Sequence, residues 1–308
     1  MHPYSRKHFL QSSAVLLAAT ACTGFSFDVK KKVPKLSFST LGCPDWTFQQ
    51  TIDFAAQHGY TGIELRGILR QLDLVKCPEF NTRENRAATV KLMQDKGLQF
   101  VDLGSSATMH FADAAKRKEN IEEGKRFIDL AQDIKCPYIR VFPNNFLKEQ
   151  DKETTINLII SGLKELGAYA KGTNVTVLME THGDVVYTAD IEKIMSSAAG
   201  ENVGLIWDVA NMWSITKEPP ATVYKTIGKY VKHTHIKDLN IINDKIEYAL
   251  LGKGQVPLKE ALKALTDANY TGFYSFEWEK LWHPEIEEPE IALADYPKAM
   301  KEHFEKMN

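Results

Sequence analysis

From Lys35 onward the chain alternates short apolar runs, rich in β-branched and aromatic residues, with longer amphipathic stretches, and it does so eight times. Alternation between a two-residue and a 3.6-residue hydrophobic period is the pattern of repeated βα units. The strand runs fall at 36–41, 62–66, 100–104, 138–142, 175–181, 203–209, 231–237 and 272–278. The helical runs fall at 47–58, 84–96, 117–134, 153–171, 190–198, 220–229, 258–268 and 292–306. Eight strands, each followed by a helix, predict an α/β fold: a single (β/α)8 TIM barrel over residues 35–308 rather than two domains. No Gly-x-Gly-x-x-Gly follows the first run, which disfavours the doubly wound dinucleotide-binding fold. Residues 240–257 form the longest connection without a helical pattern and read equally as a lid over the barrel mouth or as a plain hairpin.

Charge narrows the partners. The 38 basic and 40 acidic residues are well mixed and leave a formal charge of -2, so there is no electrostatic footprint for nucleic acid. A small-molecule partner is expected instead. The first 21 residues depart from the rest, because Arg6, Lys7 and His8 precede an acid-free stretch from Phe9 to Ala21 dominated by Ala, Leu, Ser and Val. That is the charged and short apolar make-up of an export signal, and it predicts a periplasmic protein. Ser5-Arg6-Lys7-His8-Phe9-Leu10 is similar to a twin-arginine signal with Lys7 in place of the second arginine. Cys22 follows Ala19-Thr20-Ala21 and resembles a lipoprotein acceptor, so a lipid anchor at Cys22 and an ordinary signal-peptidase cut nearby both stay open. Removing the signal with Arg6 and Lys7 takes the formal charge from -2 to -4. Residues 22–34, with Lys30-Lys31-Lys32 and Pro34, read as a solvated linker. Cys43, Cys77 and Cys136 are widely spaced and contain no Cys-x-x-Cys pair, so buried free thiols are expected rather than a disulfide framework or a thiolate zinc site.

In a parallel barrel the C-terminal ends of the strands converge on one mouth. Four successive strand runs end in polar residues: Glu180 in Val175-Thr-Val-Leu-Met-Glu180, Asp208 in Gly204-Leu-Ile-Trp-Asp208, His235 in His233-Thr-His235, and Glu277 in Phe273-Tyr-Ser-Phe-Glu277. Taken singly, each could be a helix cap or an ion-pair partner. Together, three carboxylates at one mouth would raise one another's pKa unless a cation neutralised them. A single divalent metal does so, and oxygen ligands with one imidazole suit Mn²⁺, Mg²⁺, Co²⁺ or Zn²⁺ alike. His233 and His235 lie on the same side of their strand, and His235, nearer its C-terminal end, is the favoured ligand. His182, Lys237, Arg140, Glu64 and Trp207 are candidate substrate contacts, set against roles in structural hydrogen bonds, ion pairs and core packing. Trp46, Phe142, Trp207, Trp213, Trp278 and Trp282 could form apolar walls on which a sugar ring stacks, about half of them facing the site. His110 could reach a substrate hydroxyl or lie in a surface loop.

At these residues the chain resembles the xylose-isomerase-like superfamily of sugar isomerases and epimerases, to which inosose dehydratase and endonuclease IV also belong. The resemblance covers the chain from about Lys35 to its end. It rests on Met179-Glu180-Thr181-His182, Trp207-Asp208-Val209-Ala210-Asn211, His233-Thr234-His235-Ile236-Lys237-Asp238 and Ser275-Phe276-Glu277-Trp278. It implies that Glu180, Asp208, His235 and Glu277 bind the metal and that Glu180 and Glu277 act as acid and base on the substrate. Two departures stand out: Asn211 occupies a position where several epimerases carry His, and no Arg follows His235 at the place such enzymes have one. The expected function is therefore a metal-dependent isomerase or epimerase that abstracts a proton next to a sugar carbonyl. The alternative is a dehydratase or lyase using the same enolisation on an inosose or a 3-keto-glycoside. A metal-dependent nuclease would need more ligands on the early strands and a basic rim. A non-catalytic sugar-binding lipoprotein would have no need of three carboxylates around a histidine.

Overall fold

The computed structural model describes residues 34–307. The expected export signal, Cys22 and the linker up to residue 33 lie outside the described residues. Eight strands close into a barrel: β1 (Lys35–Ser39), β2 (Gly62–Leu65), β3 (Gln99–Thr108), β4 (Tyr138–Phe142), β5 (Thr176–Glu180), β6 (Val203–Asp208), β7 (Val231–Ile236) and β10 (Phe273–Phe276). Their order around the barrel is β1-β10-β7-β6-β5-β4-β3-β2, and every pairing in it is parallel. The outer layer consists of α1 (Phe48–Gln57), α2 (Arg83–Asp95), α3 (Ala114–Asp133), α4 (Lys152–Tyr169), α5 (Thr188–Ala198), α6 (Val209–Thr216), α7 (Pro220–Ile227), α8 (Leu258–Asp267) and α9 (Pro289–Met307).

Local chemistry explains where these elements begin. Thr47 accepts from the backbone of Gln50 while the Gln50 side chain accepts from the backbone of Thr47, a capping box that starts α1. Thr82, Asp113 and Asp151 cap α2, α3 and α4 through their side-chain oxygens. The outward faces of the strands and the inward faces of the helices meet in a continuous apolar layer, including Ile52, Leu103, Phe127, Leu163, Ile191 and Leu262, all fully buried. Cys43, Cys77 and Cys136 are buried free thiols within it, and burial pushes the first two up to about 12.

Two local features differ from the sequence expectation, and a third matches one of the two readings given for the long connection. β3 continues to Thr108, with a register shift against β4 between Gly104 and Thr108, so that its end bulges over the mouth. Residues after Asp208 do not extend β6 but form α6, because Asp208 turns one carboxylate oxygen onto the backbone N–H of Asn211, 2.8 Å away, and caps a new helix. The long connection after β7 is a hairpin of β8 (Asp238–Ile242) and β9 (Lys245–Ala249). Asn243 and Asp244, at φ 51° and 60°, supply the two left-handed residues of its turn.

The base of that hairpin is held by one carboxylate. Asp238 accepts backbone N–H groups from Leu239, Gly252, Gly254 and Val256 at 2.9–3.2 Å. Replacing it with Ala leaves four donors without their acceptor, at about 1–3 kcal/mol for each that stays buried and unpaired. The expected result for Asp238→Ala is faster amide hydrogen exchange confined to residues 239–256, with the barrel strands still protected; unchanged exchange there would refute this anchoring role.

Candidate metal centre and substrate cavity

Glu180 and Asp208 are the last residues of β5 and β6, His235 is the penultimate residue of β7, and Glu277 directly follows β10. One potential ligand atom from each lies within 4.8 Å of all the others, and all four residues are buried. Barrel register causes this meeting: His235 is the partner of Asp208 across β6–β7 and of Ser275 across β7–β10. Carboxylate pairs at such a separation repel by roughly 3 kcal/mol each at an effective dielectric constant near 20.

Each of the four divides its atoms between the protein and the shared centre. His235 Nε2 lies 3.0 Å from Glu64 Oε2, so the Nε2–H form leaves the Nδ1 lone pair facing the centre. Nδ1 has no hydrogen-bond partner. Around it stand Glu277 Oε1 at 3.3 Å, Glu180 Oε1 at 3.4 Å and Asp208 Oδ2 at 3.8 Å. The other oxygens are engaged elsewhere: Glu180 Oε2 accepts from Arg140 at 2.8 Å, Glu277 Oε2 from Lys237 at 2.6 Å, and Asp208 Oδ1 from the Asn211 backbone.

Burial works against all these charges, and the neighbours decide which survive. His235 and Lys237 hold Glu277 well below its ordinary value despite its burial. Glu180 is also lowered, with burial and Glu277 opposed by Arg140 and His235. Burial pushes Asp208 up to about 7, against the pull of Lys237. Burial opposes the His235 imidazolium too, yet Glu277, Glu64 and Glu180 carry it well above its usual range. The centre thus demands a positive charge at His235 Nδ1. A divalent cation meets that demand and uses the unpaired Nδ1, so the donor set fits a metal of the kind bound by oxygen and imidazole ligands.

Three sequence expectations need correction. Glu64 does not reach the cavity: its Oε2 receives His233 Nε2 at 3.0 Å, His235 Nε2 at 3.0 Å and Ser275 Oγ at 3.1 Å, so it orients the histidine from beneath. Lys237 is not a free substrate contact, because its ammonium is fully buried between Glu277, Glu279 and Asp208 at 2.6, 2.6 and 2.8 Å. Trp207 points away from the mouth, as strand alternation requires of the neighbour of an inward Asp208, and packs 5.2 Å from the Tyr224 ring. Of the other aromatic candidates, Trp278 is buried and donates to Glu287 O, Trp46 packs on Phe54, and Trp213 lies under Lys217. His110 is buried in the loop after β3, where its Nδ1 accepts from the Asn145 backbone.

Above the four ligands a cavity of about 240 Å³ is lined by Leu41, Arg66, Arg140, Phe142, Asn144, Glu180, His182, Glu277, Glu279 and Trp282. The expected contacts Arg140 and His182 are therefore at the site: Arg140 stacks 3.7 Å from the Phe142 ring centre, and His182 Nδ1 lies 3.0 Å from Asn144 Oδ1. Arg66 and Glu279 were not expected. Arg66 shares the inward face of its strand run with Glu64, two residues earlier, so the same alternation pointed to it. Glu279, two residues past Glu277, lies in a segment with no strand period to read.

The arrangement gives Glu64 a measurable role. Glu64→Gln should weaken Mn²⁺ or Zn²⁺ binding about 10–100-fold by calorimetric titration while leaving the circular dichroism spectrum unchanged. Wild-type affinity in that variant would contradict the orienting role.

Comparison with known proteins bears on the same region. Inosose isomerase of Halalkalibacterium halodurans is 23% identical over 246 residues, 76% of this chain and 82% of that protein. L-ribulose-5-phosphate 3-epimerase UlaE of Escherichia coli K12 is 26% identical over 228 residues, 71% of this chain and 78% of that one. The solved structure of the IOLI protein with a bound zinc atom superposes with a TM-score of 0.74 at 19% identity, covering 88% of this chain and 98% of that one. Residues 52–303, which include all four candidate ligands, match the family described as xylose isomerase-like TIM barrel, and the chain belongs to that family.

Proposed function

We propose that this protein is a metal-dependent isomerase or epimerase that moves a proton on the carbon next to a sugar carbonyl. The observation that carries the reading is the pair Glu180 and Glu277. Both line the same cavity, and each turns one oxygen toward His235 Nδ1 while a cation holds the other. The names of the two relatives, an inosose isomerase and a sugar phosphate epimerase, support the same class of chemistry.

Glu180, Asp208, His235 and Glu277 would hold one divalent ion: Mn²⁺, Mg²⁺, Co²⁺ or Zn²⁺. When bound, such an ion supplies Lewis-acid polarisation of a substrate carbonyl. The remaining work belongs to the protein. Arg140 and Lys237 keep Glu180 and Glu277 ionised, so that either carboxylate can take a proton from carbon at neutral pH. That carboxylate becomes neutral. The other takes up a proton from solvent and gives it to the carbon; delivery to the opposite face inverts that carbon, and the first then releases its proton to solvent. Leu41, Phe142 and Trp282 form the apolar wall against which a sugar ring packs, and His182 stands where it can bind a sugar hydroxyl.

Deuterium is the direct probe. Metal-loaded protein incubated in D₂O with ketoses and inososes should place deuterium on the carbon next to the carbonyl. Glu180→Gln and Glu277→Gln should each slow that exchange by at least about 10²-fold. Ultraviolet absorbance from an enone would assign the elimination chemistry instead, and exchange at wild-type rate in both variants would refute the acid/base pair. For location, we propose periplasmic export through residues 1–21, ending either in a lipid anchor on Cys22 or in an ordinary signal-peptidase cut nearby. Intact mass and fractionation of the protein expressed from the full chain check this: a soluble product whose new N-terminus follows Cys22 would disprove the anchor.

A further inference from the structure

The three cations at the mouth are not equivalent. Lys237 is matched by Glu277, Glu279 and Asp208, and Arg140 by Glu180. Arg66 forms no ion pair among the described residues. Its guanidinium donates to the carbonyl of Gly104 at 3.3 Å and to Ser106 Oγ at 2.9 Å, both neutral acceptors. The residue is only 6% exposed and lines the cavity. The acids whose charge it feels act from beyond ion-pair distance and are engaged elsewhere: Glu123 on the Ser106 backbone N–H at 2.6 Å, Glu180 with Arg140 and Glu277 with Lys237. Burial, and then the adjacent Arg140 guanidinium, push Arg66 down to about 9, as expected of a cation with no counter-ion at hand.

The fold goes to some length to keep it there. The Arg66 backbone N–H is fixed by Thr40 Oγ1 at 2.9 Å. Gly104 lies under both arginines: a Cβ at that position would come within 2.8 Å of an Arg140 guanidinium nitrogen and 2.9 Å of Arg66 Cδ. The missing Cβ leaves room for the two like-charged side chains over the same stretch of β3. A buried guanidinium without an acid is disfavoured unless a ligand brings the negative charge. Its planar fork matches the two oxygens of a carboxylate.

We infer that the substrate is an acidic sugar, a monosaccharide-sized carbonyl compound whose carboxylate is bound by Arg66. The cavity, smaller than the roughly 300–1,000 Å³ that drug-sized ligands occupy, is scaled to such a molecule. A phosphate ester is the other oxyanion that could serve, but one unmatched positive charge suits a singly charged carboxylate better than a doubly charged phosphate. The inference rests on the isomerase reading only in taking this cavity as the substrate site.

Binding of three probes to the metal-loaded protein, measured by calorimetry, tests it: D-fructose, D-fructuronate, which carries a carboxylate in place of the terminal alcohol, and D-fructose 6-phosphate. Fructuronate should bind at least tenfold more tightly than fructose and more tightly than the phosphate. Arg66→Gln should abolish that preference, and Arg66→Lys, which keeps the charge without the fork, should retain part of it and stands in if the glutamine variant does not fold. Equal or weaker binding of fructuronate than fructose, no binding of fructuronate, or an intact preference in Arg66→Gln overturns the proposal; tighter binding of the phosphate overturns the carboxylate assignment. Because binding is read without turnover, an acid preference in a protein inert to proton exchange would defeat the isomerase reading and leave this one standing.

Discussion

Three buried carboxylates facing one imidazole nitrogen set the terms for the rest of this barrel's mouth. Glu180, Asp208 and Glu277 cannot all be ionised around His235 in a dry site unless positive charge is supplied. The surrounding residues supply it in part: Arg140 and Lys237 hold the outward oxygens of Glu180 and Glu277, and Lys237 also reaches Asp208 Oδ2 at 2.8 Å. What remains is a set of inward atoms, centred on the unpaired His235 Nδ1, that a divalent ion completes. Barrel register and caps carry out the placement: Asp208 both ends β6 and starts α6, so the geometry of one ligand is tied to the start of a helix.

The inward residues form tiers, and each tier does a different job. Deepest is Glu64 with His233 and Ser275, which grips Nε2 of His235 and so selects the nitrogen that faces the centre. Next come the four ligands. Above them Arg66, Arg140, His182 and Glu279 line the cavity. A ligand whose ring is held from below and whose neighbours are held from the side is preorganised, and that is what a site needs if its charges are to act on a transition state rather than rearrange around it.

Much of this was legible in the sequence because strand period and strand ends are both readable. The eight strands and the four converging ligands follow from the period-two runs and from where each run stops. Depth along the strand was not legible. Glu64 and Arg66 face the same way two residues apart, yet one lies under the histidine and the other lines the cavity, a difference set by barrel shear rather than by local pattern. Lys237 looked like a free contact because the sequence does not show that Asp208, at the end of β6, and Glu279, in the segment after β10, close on it. Trp207 was misplaced for a simpler reason: its size suggested a sugar platform, although its neighbour Asp208 already claimed the inward face. Val209 read as the last residue of a strand because helix and strand are indistinguishable at the end of so short an apolar run, and the cap from Asp208 made it the first residue of a helix.

The central claim is that His235 offers Nδ1, and not Nε2, to a single metal shared with Glu180, Asp208 and Glu277. A crystal structure of the protein grown with Mn²⁺, with the ion located by its anomalous scattering, tests this most directly. One peak is predicted, bonded to His235 Nδ1, Glu180 Oε1, Asp208 Oδ2 and Glu277 Oε1, with Nε2 still on Glu64. A peak among Glu64, His233 and His235 instead, or none within bonding distance of His235, would contradict the account.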